Sequence, residues 1–324
     1  MKRFILTAHL LSMASALMAQ KPGPVVIAHR GASGYLPEHT LEAKVMAHAV
    51  GADFLEQDIV LTKDDVPVVM HDIQLETISD VAKQFPERKR EDGHFYTLDF
   101  TLAEIKRLHA NERINPKTGA AFYPGRFPLG QSSFQIPSLE EELQLIQGLN
   151  KSTGRTAGIY PEIKQPAWHR KQGHDISRIV LPILKKYGYT TRSDLCWLQC
   201  FEIEEVRRIR AELGWKGRLV LLMGSKVDTS QLNDIASFAD GIGPSLGAIA
   251  TGKSKADRQI TALVKLAHDA KLEVHPYTLR ADELPKFAES MEDALDVLFK
   301  QAGVDGLFTD FPDQAVNWLK KHPL

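Results

Sequence analysis

Residues 54–72, FLEQDIVLTKDDVPVVMHD, place two carboxylates, Glu56 and Asp58, in the first of two strand-like runs joined by a turn at Lys63-Asp64-Asp65. Side chains alternate across a strand, so Phe54, Glu56, Asp58 and Val60 share one face and Leu55, Gln57 and Ile59 the other. Both faces are largely apolar, the mark of a strand covered on both sides, as in a parallel sheet. A solvent-facing edge tolerates a pair of acids; a covered strand does not, because a buried carboxylate is costly unless a cation compensates it. In GIYPEIK, residues 158–164, the same alternation puts Glu162 and Lys164 on one face. Each of these two can simply pair with a neighbour. Taken together, three carboxylates with no nearby His or Cys cluster suit a hard cation, Mg²⁺ or Ca²⁺, better than zinc.

His29 and His71 sit at the ends of strand-like runs, in VVIAHRG and VVMHD. A single histidine at a strand end is commonly a hydrogen-bonded core residue. Two of them flanking a carboxylate metal site suit acid–base work near neutral pH. Arg30 and Lys164 add positive charge to the same neighbourhood, the arginine as a planar fork suited to phosphate oxygens. A phosphodiester needs that combination: its negative charge must be met, a nucleophile deprotonated and the departing alkoxide protonated. A cation can polarise the phosphoryl oxygen and stabilise charge in the transition state. Glycoside hydrolysis also uses paired carboxylates on barrels, but it leaves the histidines and the Arg-Lys charge without a task. The non-enzyme alternative, an exported binding protein or adhesin that keeps the fold without turnover, is disfavoured by the intact histidine pair.

The elements that must position these residues follow one rhythm. Short apolar strands are expected at 24–31, 53–60, 158–164, 195–201, 218–223, 239–245, 272–280 and 304–312. Helical patterns alternate with them, among them TLEAKVMAHAVG, with Thr40 as N-cap and Gly51 as C-cap, and SLEEELQLIQGLN, with a capping box of Ser138 and Glu141. Eight such units predict an α/β protein, a (β/α)₈ TIM barrel. An open doubly wound sheet is the alternative, but no G-x-G-x-x-G turn follows the first strand. In a barrel the carboxyl ends of the strands converge on one mouth. That adds Gln199, Phe201, His275, Tyr277 and Asp310 to the residues already named. Gln199, Phe201 and Tyr277 are candidate substrate contacts there, with Trp168 and Phe311 as further aromatics. His94, His109, His169 and His174 fall in loops and read as surface residues. Residues 73–137, rich in Pro, Gly, Arg and aromatics, are too long for a βα loop and read as a cap-like insertion over the catalytic face, with a short helix at TLAEIKRLH.

Residues 1–19 have a secretory leader's layout: Lys2 and Arg3, an apolar run, then small residues with cleavage after Ala16 or Ala19. The expected mature domain is 20–324, exported to the periplasm, with no other segment long and apolar enough to span a bilayer. A formal charge of −1 gives no whole-protein reason to expect nucleic acid or anionic membrane as a partner. Cys196 and Cys200 lie four residues apart on one strand, roughly 13 Å, too far for a disulfide, so free buried thiols are expected.

The motifs AHRGASGYLPEHT, LEQDIVLTKDDVPVVMHD, GIYPEIK, LQCF, HPYTLR and GLFTDFP closely resemble those of bacterial periplasmic glycerophosphodiester phosphodiesterases. The likeness runs from about residue 25 to the C-terminus and includes YPGRFP (123–128), which points to the periplasmic branch. The resemblance implies that Glu56, Asp58 and Glu162 hold the metal, calcium first and magnesium second. It implies that His29 and His71 form the general acid/base pair and that Arg30 and Lys164 contact phosphate. The substrate it implies is a small glycerophosphodiester. His39 stands where the family usually has Asn; the position precedes the Thr40 cap and is expected to lie outside the catalytic set. Glu38 reads as a hydrogen-bonding neighbour of the site rather than a ligand. Alcohol preference, the base and acid assignment of the histidines, the nucleophile (water or a substrate hydroxyl) and a homodimeric state are not readable from sequence.

Overall fold

The structure, a computed structural model, describes residues 23–324. The leader expected over 1–19 lies outside the described residues. Eight parallel strands form the barrel: β1 (Val25–Ala28), β2 (Phe54–Leu61), β4 (Gly158–Ile163), β5 (Trp197–Cys200), β6 (Arg218–Met223), β7 (Gly241–Pro244), β10 (Glu273–Val274) and β11 (Gly306–Thr309). They pair in chain order from β1 to β10, and β11 pairs with β1. The ring closes where Asp305 N–H donates to Val274 O (3.0 Å), Phe308 N–H to Pro276 O (3.0 Å) and Leu279 N–H to Phe308 O (2.9 Å). The strand expected over 272–280 regularly pairs only at Glu273–Val274. Pro276 has no N–H to give a ladder, so the chain beyond it makes isolated contacts instead. Antiparallel additions are β3 (Pro67–Val69), which folds back on β2, and the small ribbon of β8 (Ala250–Thr251) and β9 (Gln259–Ile260).

Alternation divides the core. Leu55 and Ile59 of β2 face outward into the main cluster, under the helices, whereas Phe54 faces inward to pack with Val25, Ile27, Tyr160, Trp197, Val220 and Phe308 in the barrel interior. The Leu41–Val50 helix starts on Thr40, whose side chain accepts from Ala43 N–H. It ends on Gly51 at φ 107°, a left-handed conformation in which glycine's missing Cβ matters. The Leu139–Thr153 helix starts with the full Ser138–Glu141 capping box.

Between β3 and that helix the chain is mostly irregular but has its own core, in which Met70, Ile73, Leu75, Phe85, Phe95, Phe100, Ile105 and Leu108 are buried with Val60 and Val68. A one-turn helix, Leu102–Ile105, is held by a capping box of Thr101 and Glu104. The segment leaves and rejoins the barrel at adjacent points, where Val68 bridges Ser138 and Val69 N–H donates to Pro137 O at 2.9 Å. Both cysteines are buried free thiols. No helix among the described residues is long and apolar enough to cross a membrane.

Candidate active site

A cavity of about 520 Å³ opens at the carboxyl ends of the strands. Ten of the residues named from the sequence line it: His29, Arg30, Glu56, Asp58, His71, Glu162, Lys164, Gln199, Phe201 and Tyr277. One oxygen from each of Glu56, Asp58 and Glu162 lies within 4.8 Å of the others, and all three residues are buried. Two oxygens bound to one Ca²⁺ at its usual bond length stand at most about 5 Å apart, so the spacing fits a single hard cation. Among the described residues, Asp58 Oδ1 is buried with no hydrogen-bond partner and stands 3.8 Å from Lys164 Nζ, an oxygen that a cation could take.

The charges of the cluster are strongly coupled. Burial, then the neighbouring Asp58 and Glu162, push the Glu56 carboxyl well above its ordinary value. Burial, with Asp58 beside it, raises Glu162 to about 8, although Lys164 opposes the shift. For Asp58 burial also resists ionisation, but Lys164 and His39 outweigh it and hold this carboxyl well below its usual range. Glu56 is further fixed by the Arg30 N–H (2.8 Å) and by Gln199 Nε2 (3.0 Å). Lys164 Nζ lies 2.7 Å from Glu162 Oε1 and 3.8 Å from Asp58 Oδ1. Arg30 takes left-handed backbone at φ 57°, rare for a side-chain-bearing residue and typical of functional sites.

The histidines are held in the same way on opposite sides. His29 Nδ1 lies 2.6 Å from Asp310 Oδ1, and its Nε2 lies 3.9 Å from Glu56 Oε2. β3 doubles back along β2, and Met70 N–H donates to Asp58 O, so His71 arrives beside the acids with Nδ1 2.6 Å from Asp72 Oδ1. Each carboxylate fixes the Nδ1–H tautomer and leaves Nε2 free for proton transfer. Burial, with Arg30 nearby, lowers both rings to about 4 against the pull of their aspartates, so both are neutral at neutral pH.

The structure corrects several sequence-based expectations. His39 belongs to the site: its Nε2 lies 2.8 Å from Asp58 Oδ2, and the residue is buried at φ 61°. Lys44 Nζ stands 3.3 Å from His39 Nδ1, contacts the Glu56 carbonyl and lies 3.1 Å from Glu142 Oε2. A lysine at Nδ1 makes His39 an Nε2–H donor to Asp58, which leaves Asp58 Oδ1 as the oxygen for a cation. The position next to a helix cap concealed this, because the left-handed turn swings the side chain inward. His275 is not at the mouth; it is fully buried inside the barrel, with Nδ1 2.8 Å from Tyr160 Oη. Phe311 is buried edge-on to Tyr35, and Trp168 stacks on Tyr96 of the insertion. His169, expected at the surface, is buried, and its Nε2 accepts the Leu61 N–H at 3.2 Å.

Phe201 is about half exposed at the rim, edge-on to Tyr277 at 5.7 Å and 5.8 Å from Lys164 Nζ. Glu38 bonds Arg30 (2.8 Å) and Arg113 (2.6 and 2.9 Å) and stays off the cation cluster. Arg113 and Arg126, both from the insertion, escaped the sequence reading. They lie in chain with no periodicity, and only YPGRFP, around Arg126, offered a signal.

Residues 29–314 match the model of the glycerophosphoryl diester phosphodiesterase family. A glycerophosphodiester phosphodiesterase of Haemophilus influenzae is 43% identical, over 97% of this chain and 94% of that one. One from Treponema pallidum is 38% identical over 92% of each. A solved phosphodiesterase from Oleispira antarctica, in complex with the product sn-glycerol-3-phosphate, shares the fold. Its TM-score is 0.63 at 19% identity, over 92% of this chain and 97% of that chain. With a family match that takes in every residue lining the cavity, the chain belongs to the glycerophosphoryl diester phosphodiesterase family of enzymes.

Proposed function

We propose that the chain hydrolyses glycerophosphodiesters, such as glycerophosphocholine and glycerophosphoethanolamine, to sn-glycerol 3-phosphate and the free alcohol. One observation carries the reading. Two histidines, each anchored through Nδ1 to an aspartate, face a buried three-carboxylate cluster flanked by Arg30 and Lys164. Glu56, Asp58 and Glu162 would hold a divalent cation, Ca²⁺ first, since three carboxylates exceed what Mg²⁺ usually takes from protein. When bound, the cation supplies polarisation of a phosphoryl oxygen and stabilisation of transition-state charge.

Arg30 and Lys164 meet the remaining phosphate charge. One neutral imidazole takes a proton from the nucleophile, water or the substrate's adjacent hydroxyl. The other donates one from Nε2 to the departing alkoxide. An arriving phosphate anion favours the imidazolium form that this donor needs. Gln199 keeps Glu56 in place, and the Phe201–Tyr277 pair offers apolar surface at the rim for glycerol carbons.

Glycerol-phosphate release, read through a glycerol-phosphate dehydrogenase, tests the proposal. Release is expected to vanish with a strong chelator and to return with Ca²⁺, and His29→Ala or His71→Ala should each lower kcat about 100- to 10,000-fold. Turnover indifferent to chelator, or a His29→Ala enzyme as fast as its parent, would sink it. Titration of the metal-stripped protein with Ca²⁺ and Mg²⁺ decides between the two ions. Export to the periplasm is proposed from the basic-then-apolar pattern of residues 1–19. N-terminal sequencing of the protein recovered from cells checks it, with a start just after Ala16 or Ala19 expected.

A further inference from the structure

Asp72 and Asp310 use their oxygens alike. In each, Oδ1 holds the Nδ1 of a histidine, and Oδ2 receives a guanidinium from the insertion. Arg113 NH1 donates to Asp72 Oδ2 at 2.6 Å, and Arg126 NH2 donates to Asp310 Oδ2 at 2.7 Å. Neither arginine is a loose surface side chain. Arg126 is 5% exposed, forks onto Asp282 (2.8 and 3.0 Å), reaches the Ser33 carbonyl (3.2 Å) and lies over the Tyr123 ring at 3.7 Å. Arg113 is 17% exposed and grips both oxygens of Glu38, which in turn bonds Arg30. The two guanidiniums sit on opposite histidines, and one short segment of chain supplies both.

We propose that Arg113 and Arg126 are positioning residues that make the insertion part of the acid–base machinery. Arg113 sets His71 through Asp72, and Arg126 sets His29 through Asp310. An aspartate directs an imidazole only if its own plane is fixed and it stays ionised. A guanidinium on the far oxygen secures both, since charge-assisted hydrogen bonds are the short, strong ones. The two supports are unequal. Asp310 Oδ2 also receives Arg280 Nε (2.8 Å), whereas among the described residues Asp72 Oδ2 has only Thr77 Oγ1 (2.7 Å) besides Arg113. Loss of Arg113 should therefore weigh more than loss of Arg126. Neither arginine lines the cavity, so their effect through the histidines belongs in kcat, and a KM effect is expected only from Arg113, through Glu38 and Arg30.

The inference rests on the histidine roles proposed above, and its test separates the two. In protein labelled with ¹⁵N-histidine, Arg113→Met is expected to move the Nδ1 signal of His71 and leave that of His29. Arg126→Met is expected to do the reverse. This readout needs no turnover, so it stands even if the catalytic reading fails. In the coupled assay, Arg113→Met should lower kcat about 10- to 100-fold, the scale for partners that orient a functional histidine, and Arg126→Met by less. KM should be nearly unchanged for Arg126→Met and rise for Arg113→Met, whose loss also frees Glu38 and through it Arg30, and Arg113→Lys should recover part of the kcat loss. On an Asp72→Asn background, Arg113→Met should add almost nothing to the loss in kcat. Variants that move both histidine signals alike, move neither, or add their full loss on the Asp72→Asn background would overturn the proposal. If either methionine variant melts far below the parent, the lysine variants at the same positions carry the same comparison.

Discussion

On the inward faces of β2, β4 and β5, Phe54, Tyr160 and Trp197 come first, and Glu56, Glu162 and Gln199 follow two residues later. The lower set is an aromatic plug. Tyr160 stacks on Trp197 at 6.2 Å, meets Phe54 edge-on at 6.1 Å and Phe308 at 4.9 Å, and each of these side chains is at most 2% exposed. The upper set, with Asp58 two residues beyond Glu56, holds a buried acidic cluster: burial and neighbouring carboxylates push Glu56 and Glu162 up, Lys164 and His39 hold Asp58 down, and Gln199 bonds Glu56. One strand period thus separates a layer of packed aromatic rings from a layer completed by positive charge. The plug also shapes the acids' behaviour. A dry base beneath a carboxylate withholds water from one side, which strengthens every charge interaction above it and raises the cost of a lone anion.

Three experiments break or sharpen the contrast. The largest effect is expected from Asp58→Asn, which keeps shape but removes the anion with the unpaired Oδ1. Turnover should fall about a thousandfold or more, the several kcal/mol a bound metal contributes. Cation affinity, by calorimetry, should fall with it, and the melting temperature of the cation-free protein should drop as well, because Lys164 and His39 favour the ionised Asp58 in the folded state. Near-normal turnover would show that the upper layer is not a cation site. Next, Trp197→Ala should cost about 3–5 kcal/mol of folding stability, by chemical denaturation, with cation affinity per folded molecule little changed. A selective loss of affinity instead would mean that the two layers are not separable.

The third effect is a gradual one with pH. Glu162 holds its proton up to about 8 in the folded protein, against 4.5 ordinarily, so between those values the folded state binds more protons than the unfolded chain. The lowered histidines oppose this slope below about 6.5, where the unfolded chain protonates them, so stability of the cation-free protein should decline as pH rises from about 6.5 through about 8. Cation binding expels the proton, so Ca²⁺ affinity should climb with pH over the same range, by up to about tenfold per unit for one proton released. Denaturation in chelator at a series of pH values checks the first slope and calorimetry the second. Two flat profiles would mean that the acids are not crowded as described.

The legible part of this molecule is the part governed by period. Doubly covered strands produce apolar runs, and a Glu or Asp breaking such a run stands out. That is why Glu56, Asp58 and Glu162 were readable together with the strands that carry them. Capping chemistry was equally plain at Thr40 and Ser138. What escaped depends on side chains that meet far along the chain. Arg126 reaches Asp310 across 184 residues and Arg113 reaches Glu38 across 75, from segments with no repeat to interpret. His39 was concealed by a backbone turn that the residue type does not advertise, and His275 by the inward tilt of a strand interrupted at Pro276. The likeness to a family supplied roles for residues but none of these contacts.

The pairing of Val68 with Ser138, reinforced by Val69 and Pro137, has a consequence for how this architecture can diversify. The excursion leaves and re-enters through a doorway already latched by backbone, so the barrel does not register how much chain lies beyond it. Doubling the length of such an excursion adds only about 0.6 kcal/mol of closure entropy. New residues can accumulate there and reach the catalytic mouth from above while the eight strands below remain as they were.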